Sequence, residues 1–211
     1  MRYDDWDVLL FPWDCGIPMR EFQVTCHLVQ DPEFSVPNCA MGLPTMTCFI
    51  PSLEAGSPFH ISIHSWVQNP EASAFTKAIT KHPELVKFQA RIYFDGCLIG
   101  SDVFDGSGNW PQVINNAKDH NTNGQADILR FPIFLSDVLQ QSSWSAADDL
   151  GRIKVVISEA FSRGPPAMGL ETVKNIVAFS FQHAPLGSPP RSRCHRLAQS
   201  LDVVGDADRA F

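Results

Sequence analysis

From Val86 to Phe94 the chain reads VKFQARIYF: Val86, Phe88, Ala90, Ile92 and Phe94 alternate with Lys87, Gln89, Arg91 and Tyr93. Period two is the spacing of a strand with one face buried and one face wet. Asp95-Gly96 follows, a pair that tolerates the positive φ of a two-residue turn, and CLIGSDVF then returns as a second strand. The pattern predicts a β-hairpin over 86–104.

The same alternation runs through PFHISIHSWV (58–67) and EFQVTCHLV (21–29). RIKVVISEA (152–160) and TVKNIVAFSF (172–181) are rich in the β-branched and aromatic residues that strands favour. Shorter candidates lie at 7–11, 46–50 and 126–133. About eight short strands separated by turns indicate a mainly β domain, an antiparallel β-sandwich of immunoglobulin-like or jelly-roll-like type, rather than a βαβ array. Its expected core is Leu9, Phe22, Val24, Phe59, Ile61, Ile63, Phe88, Ile92, Phe94, Ile153, Val155, Ile157, Val177 and Phe179.

Helix is scarce. Asn69 can cap, Pro70 suits a first turn, and the segment runs to His82-Pro83, which predicts a helix over 70–81 anchored to a sheet by Phe75 and Ile79. A second short helix is expected within 136–144, and Gly151 reads as a helix stop. The proline-rich stretch 30–45 reads as a long loop. The domain is expected over 5–186, and 187–211, with its prolines and small polar residues, as a disordered or loosely attached tail.

Composition narrows the class. Of 211 residues, 44% are apolar, enough for a core, and 18% are charged, below the roughly 25% usual in soluble domains. No apolar run approaches the ~20 residues of a spanning helix, so no membrane is expected. The net charge is −7, and residues 1–76 carry nine acids against Arg2 and Arg20. No basic stripe is present, which argues against a nucleic-acid partner. The six cysteines lack zinc-knuckle spacing and MRYDDWDVLLF lacks a basic n-region, so a reducing compartment, cytoplasm or nucleus, is expected.

Four groups of residues bear on chemistry. Asp119, Asn121, Asn123 and Asp127 follow the opening of a calcium loop, but position twelve is Arg130 where a bidentate Glu belongs. An Asn/Asp/Gly turn explains the segment without metal, and no cofactor is expected beyond this weak calcium signature. The loop 102–109 gathers Asp102, Asp105 and two glycines, with Trp110 tucked back as an anchor. His60 and His64 are four apart, but on a strand that is about 13 Å at ~3.3 Å per residue, too far for one ion. Arg191, Arg193 and Arg196 form a small basic cluster in the tail. No nucleophile elbow is present.

The blocks RYDDWDVLLFPWD, SPFHISIHSW, RIKVVISEAFSR and VKNIVAFSFQHAPL resemble an uncharacterised group of filamentous-fungal proteins, over about residues 2–186. The resemblance implies an intracellular fungal protein built on strands and carries no activity. The reading that follows is a non-enzymatic intracellular module that binds another protein, self-association included, with Trp6, Phe11 and Trp13 as aromatic anchors in an acidic segment. The rival is a small-molecule-binding or hydrolytic enzyme whose site lies in the loops 102–109 and 119–127.

Overall fold

The computed structural model of the chain describes residues 1–34, 41–120, 126–141, 143–163 and 169–185. Twelve strands are formed among them: β1 Arg2–Tyr3, β2 Trp6–Pro12, β3 Phe22–Gln30, β4 Gly42–Pro51, β5 Phe59–Ser65, β6 Val86–Phe94, β7 Cys97–Asp105, β8 Gln112–Ile114, β9 Asn116–His120, β10 Ala126–Ile128, β11 Arg152–Arg163 and β12 Gly169–Ala184. They make a six-stranded sheet in the order β3-β4-β12-β11-β6-β7, a four-stranded sheet β1-β2-β5-β8, and the small pair β9-β10. The fold is mainly β and agrees with a sandwich.

Alternation builds the core. Val8 and Leu10 of β2 and Phe59, Ile61 and Ile63 of β5 face Phe88, Ala90 and Ile92 of β6, Ile153, Val155 and Ile157 of β11, and Val177, Phe179 and Phe181 of β12. At one end Trp6 packs on Phe88 and Phe104 and meets Trp110 edge-on. Trp110 is thus an anchor for its loop, as the sequence suggests.

The structure departs from the sequence reading at several points. β4 and β12 pair in parallel, Thr45 beside Ala178 through Pro51 beside Ala184, so the large sheet is mixed rather than wholly antiparallel. The expected loop 30–45 is shortened, because β4 begins at Gly42. Leu9 is half-buried on the outward face opposite Ser62, and its neighbour Leu10 takes the core position opposite Ile61. Phe22 is half-buried and Val24 exposed because β3 is an edge strand, and Phe94 is half-buried at the end of β6. Among its described residues the 136–144 segment holds only a 3-10 turn, Ser136–Gln140.

The helix, α1, is confined to Ala74–Ile79, and Phe75 and Ile79 both face solvent. A polar contact decides its orientation. Glu159, buried on β11, accepts hydrogen bonds from Ser73 N at 2.5 Å, Ser73 Oγ at 2.8 Å and the Thr76 hydroxyl. Ser73 is also the N-cap, its Oγ accepting from Thr76 N. The first turn of α1 is therefore held over a buried carboxylate. The tail 187–211 lies outside the described residues.

Candidate functional site

The outward face of the six-stranded sheet is not a wet surface. Arg91, Ser158 and Asn175 project from it, and all are buried, as are Thr45, Ser180 and Gln182. Two segments cover it. The turn after β3 brings Asp31 and Glu33 over one end, and residues 144–149 cross the other, where Trp144 Nε1 donates to Gln182 Oε1 at 2.8 Å and lies beneath the Arg152 guanidinium. Between them lies a hollow of about 650 Å³.

Its floor draws two residues from each of five neighbouring strands: Val29 and Gln30 from β3, Leu43 and Thr45 from β4, Asn175 and Ala178 from β12, Lys154 and Val156 from β11, and Arg91 and Tyr93 from β6. At ~4.8 Å per strand that is a groove of about 19 Å. Leu43, Val156 and Ala178, with Tyr93 against them, form an apolar patch separate from the main core. Polar networks flank it on both sides.

The first network centres on Arg91. Its guanidinium pairs with Glu33 and donates through Nη2 to Ser158 Oγ at 3.1 Å and Asn175 Oδ1 at 2.6 Å. Asn175 Nδ2 donates to the Asp31 carboxylate at 2.9 and 3.1 Å and to Glu33 Oε2 at 3.2 Å. Asp31 in turn accepts from Glu33 N at 2.9 Å, which fixes the turn that carries both acids. Arg91 Nε is buried and has no hydrogen-bond partner among the described residues. Such a group carries a desolvation cost until something accepts from it. The second network is the Lys154–Asp149 ion pair on the opposite rim.

Burial by itself would raise the Glu33 carboxyl, but the Arg91 hydrogen bond and charge, aided by Asn175, outweigh it and hold the group below its ordinary value. Tyr93 goes the other way: burial, with Glu33, Asp149 and Asp31 adding to it against Arg91, raises its hydroxyl. The hollow therefore presents a neutral phenol, a charged guanidinium and an apolar floor. Its described lining contains no Cys or His.

The residues singled out from the sequence are dispersed. Trp6 serves the core. Phe11 is half-buried on the outward face of the four-stranded sheet, stacked on His60 at 5.1 Å, and Trp13 meets His60 edge-on at 6.3 Å. His64 bonds Ser62 at 3.0 Å, so His60 and His64 have separate partners. Asp102 caps its own neighbour, Val103 N, and Asp105 pairs with Lys87 at 3.3 Å. Asp105, Gly106 and Ser107 do line a hollow of about 420 Å³ against the α1 region, where Lys77 pairs with Glu71. Asp119 falls in β9 and Asp127 in β10, while Asn121 and Asn123 lie outside the described residues. Among the described residues no cluster of His, Cys, Asp or Glu is fit to hold a metal.

Sequence reasoning passed over Asp31, Glu33, Arg91 and Asn175. One signal was available: Asn175 interrupts a β-branched run, TVKNIVAF, where an amide is out of place unless it is bonded. The chain belongs to a domain family of unknown function, DUF8498, whose profile matches residues 1–189. Neither curated proteins nor solved structures give a match to it.

Proposed function

We propose that this chain is a non-enzymatic interaction module, and that the groove over the six-stranded sheet receives an amphipathic segment of another protein. The observation that supports this most directly is the combination, in one hollow, of an apolar floor and the Arg91 guanidinium with its polar network. A segment crossing five strands would set apolar side chains on Leu43, Val156 and Ala178 and a carbonyl or carboxylate against Arg91. Tyr93 and Asn175 offer further hydrogen bonds at the polar end. The volume is in the range of ligand clefts, on the order of 300–1,000 Å³.

The test uses an amphipathic anion, 8-anilinonaphthalene-1-sulfonate, as a probe of the groove. Val156→Phe adds a ring into open space above the floor and leaves the main core untouched. The wild-type chain is expected to enhance the probe's fluorescence saturably, and Val156→Phe to abolish that enhancement with its Tm preserved. Equal enhancement by both proteins, or none by the wild type, overturns the reading.

A further inference from the structure

The acidic-aromatic segment around β2 takes no part in the groove, which lies across the sandwich from it. The outward face of the four-stranded sheet carries a strip of its own. Leu9 and Phe11 stand on β2, His60, Ser62 and His64 on β5, and Val113 on β8. Register sets Leu9 and Val113 on either side of Ser62, whose small side chain is bonded to His64. A shallow trough therefore runs along β5, with apolar walls on β2 and β8. An indole stands at each end of it. Trp13, 36% exposed, lies beside Pro58 and meets His60 edge-on, and Trp66, 60% exposed, follows β5 at the far end. From residue 58 to residue 66 the strip is about 26 Å long, at ~3.3 Å per residue.

Charge says what this strip fits. Asp4 and Asp5 lie in the turn before β2 and Asp14 in the turn after it, all three exposed. None has an ion-pair partner among the described residues, whereas Asp7, between them, is spent on the Met1 ammonium. The bases close by are engaged. Arg2 lies over the Trp66 ring at 4.4 Å, and Arg130, bridged to Pro58, donates to Gly56 O at 3.0 Å. Carboxylates with unspent charge thus flank the trough at both ends. Arg2 on Trp66 also shows the kind of group an exposed indole takes, a cation over its face. Trp13 has no such cation among the described residues.

Size decides the shape of the occupant. Three strands at ~4.8 Å make a strip about 14 Å wide and about 360 Å² in area, under half of the ~800 Å² each partner buries in a stable complex. That is room for one extended chain of about eight residues rather than for a folded domain. A second copy would besides set acid against acid.

We propose that the outward face of the four-stranded sheet is a docking surface separate from the groove, and that its occupant is an extended segment of another protein bearing lysine or arginine between apolar residues. The apolar side chains of that segment lie on Leu9, Phe11 and Val113, and its cations reach Asp4, Asp5, Asp14 and the Trp13 ring. The two surfaces lie on opposite sides of the sandwich, so either reading can fail without the other.

Calorimetric titration of the full chain with the capped octapeptide (Lys-Val)4 tests it, with (Glu-Val)4 as the control of opposite charge. The basic peptide is expected to bind one to one and the acidic peptide not to bind. Val113→Lys sets a fixed cation at an exposed position in the trough wall. D4N/D5N/D14N removes the three free charges, and asparagine tolerates the positive φ of residues 4 and 14. Each variant should raise the Kd at least about tenfold, with its Tm within about 2 °C of the wild type. Val156→Phe, which fills the groove, should leave the Kd unchanged. In the ¹⁵N-labelled chain the amide shifts caused by the basic peptide should concentrate at 7–14, 60–66 and 112–114. No binding of the basic peptide, equal binding of both peptides, variants that bind as well as the wild type, a loss caused by Val156→Phe, or shifts concentrated at the groove overturns the proposal.

Discussion

His183 shows what the interior demands of a single side chain. It is 1% exposed, with the rings of Phe131 and Phe134 against it, and its Nδ1 lies 2.9 Å from Ser52 Oγ. Nε2 has no partner among the described residues, and burial lowers the imidazole below its ordinary 6.5, more than Asp95 raises it. The neutral ring is thus the folded form. The unfolded chain binds the proton first as pH falls, so this residue's contribution to stability is intact above 6.5 and lost below it. Glu33, held low by Arg91, loses its contribution only at pH below its ordinary 4.5, in a separate window. Urea midpoints at about pH 7.5 and about pH 5.5 should therefore fall more steeply for the wild type than for His183→Gln. Parallel falls would place the acid sensitivity elsewhere.

Among the elements, α1 and the strands teach opposite lessons about what a sequence displays. The helix has an apolar pair at the right spacing, Phe75 and Ile79, yet both are left in solvent while Glu159 holds the first turn through Ser73 and Thr76. Glu159→Gln replaces an acceptor-only group with one that presents N–H to donors, and should cost about 2 kcal/mol in urea unfolding. Phe75→Ala and Ile79→Ala should each cost less than about 0.5 kcal/mol. A reversed order would mean that the apolar face carries the helix. The strands at 22–30, 59–65 and 86–94 were legible because alternation marks them whatever lies beside them, that at 97–105 because a turn pair precedes it, and that at 152–163 from its β-branched content. Their neighbours were not, since period two encodes facing and not direction, and so the parallel β4–β12 pair left no trace. β1 and β8, two and three residues long, are too short to show a period. The groove was hidden for a related reason: Arg91 alternates as a wet residue does, and only the distant Asp31-Pro32-Glu33 turn makes it a buried one.

At the scale of the whole molecule, six strands face four, and the mismatch has consequences at both ends of the chain. The larger sheet has more face and more edge than its partner can cover, which leaves Val24 and Leu28 of β3 exposed and the groove open on its outward side. It also makes the first strands indispensable. β2 is an inner strand of the four-stranded sheet, and its Val8 and Leu10 close the core over Ile61 and Ile63. Removing residues 1–12 takes away two of that sheet's four strands along with Trp6, a loss that surface trimming cannot mimic. At the other end β12 finishes at Ala184, every named strand is complete by then, and the family match stops at residue 189. A chain ending at residue 189 should keep the wild-type Tm within about 2 °C, whereas a chain starting at residue 13 should show no cooperative melting at all. The contrast between the two truncations, recorded by calorimetry on otherwise identical samples, is the measurement that decides. Were the C-terminal truncation to melt well below the wild type, residues 190–211 would have to be counted part of the folded unit, and the domain would be larger than its twelve strands.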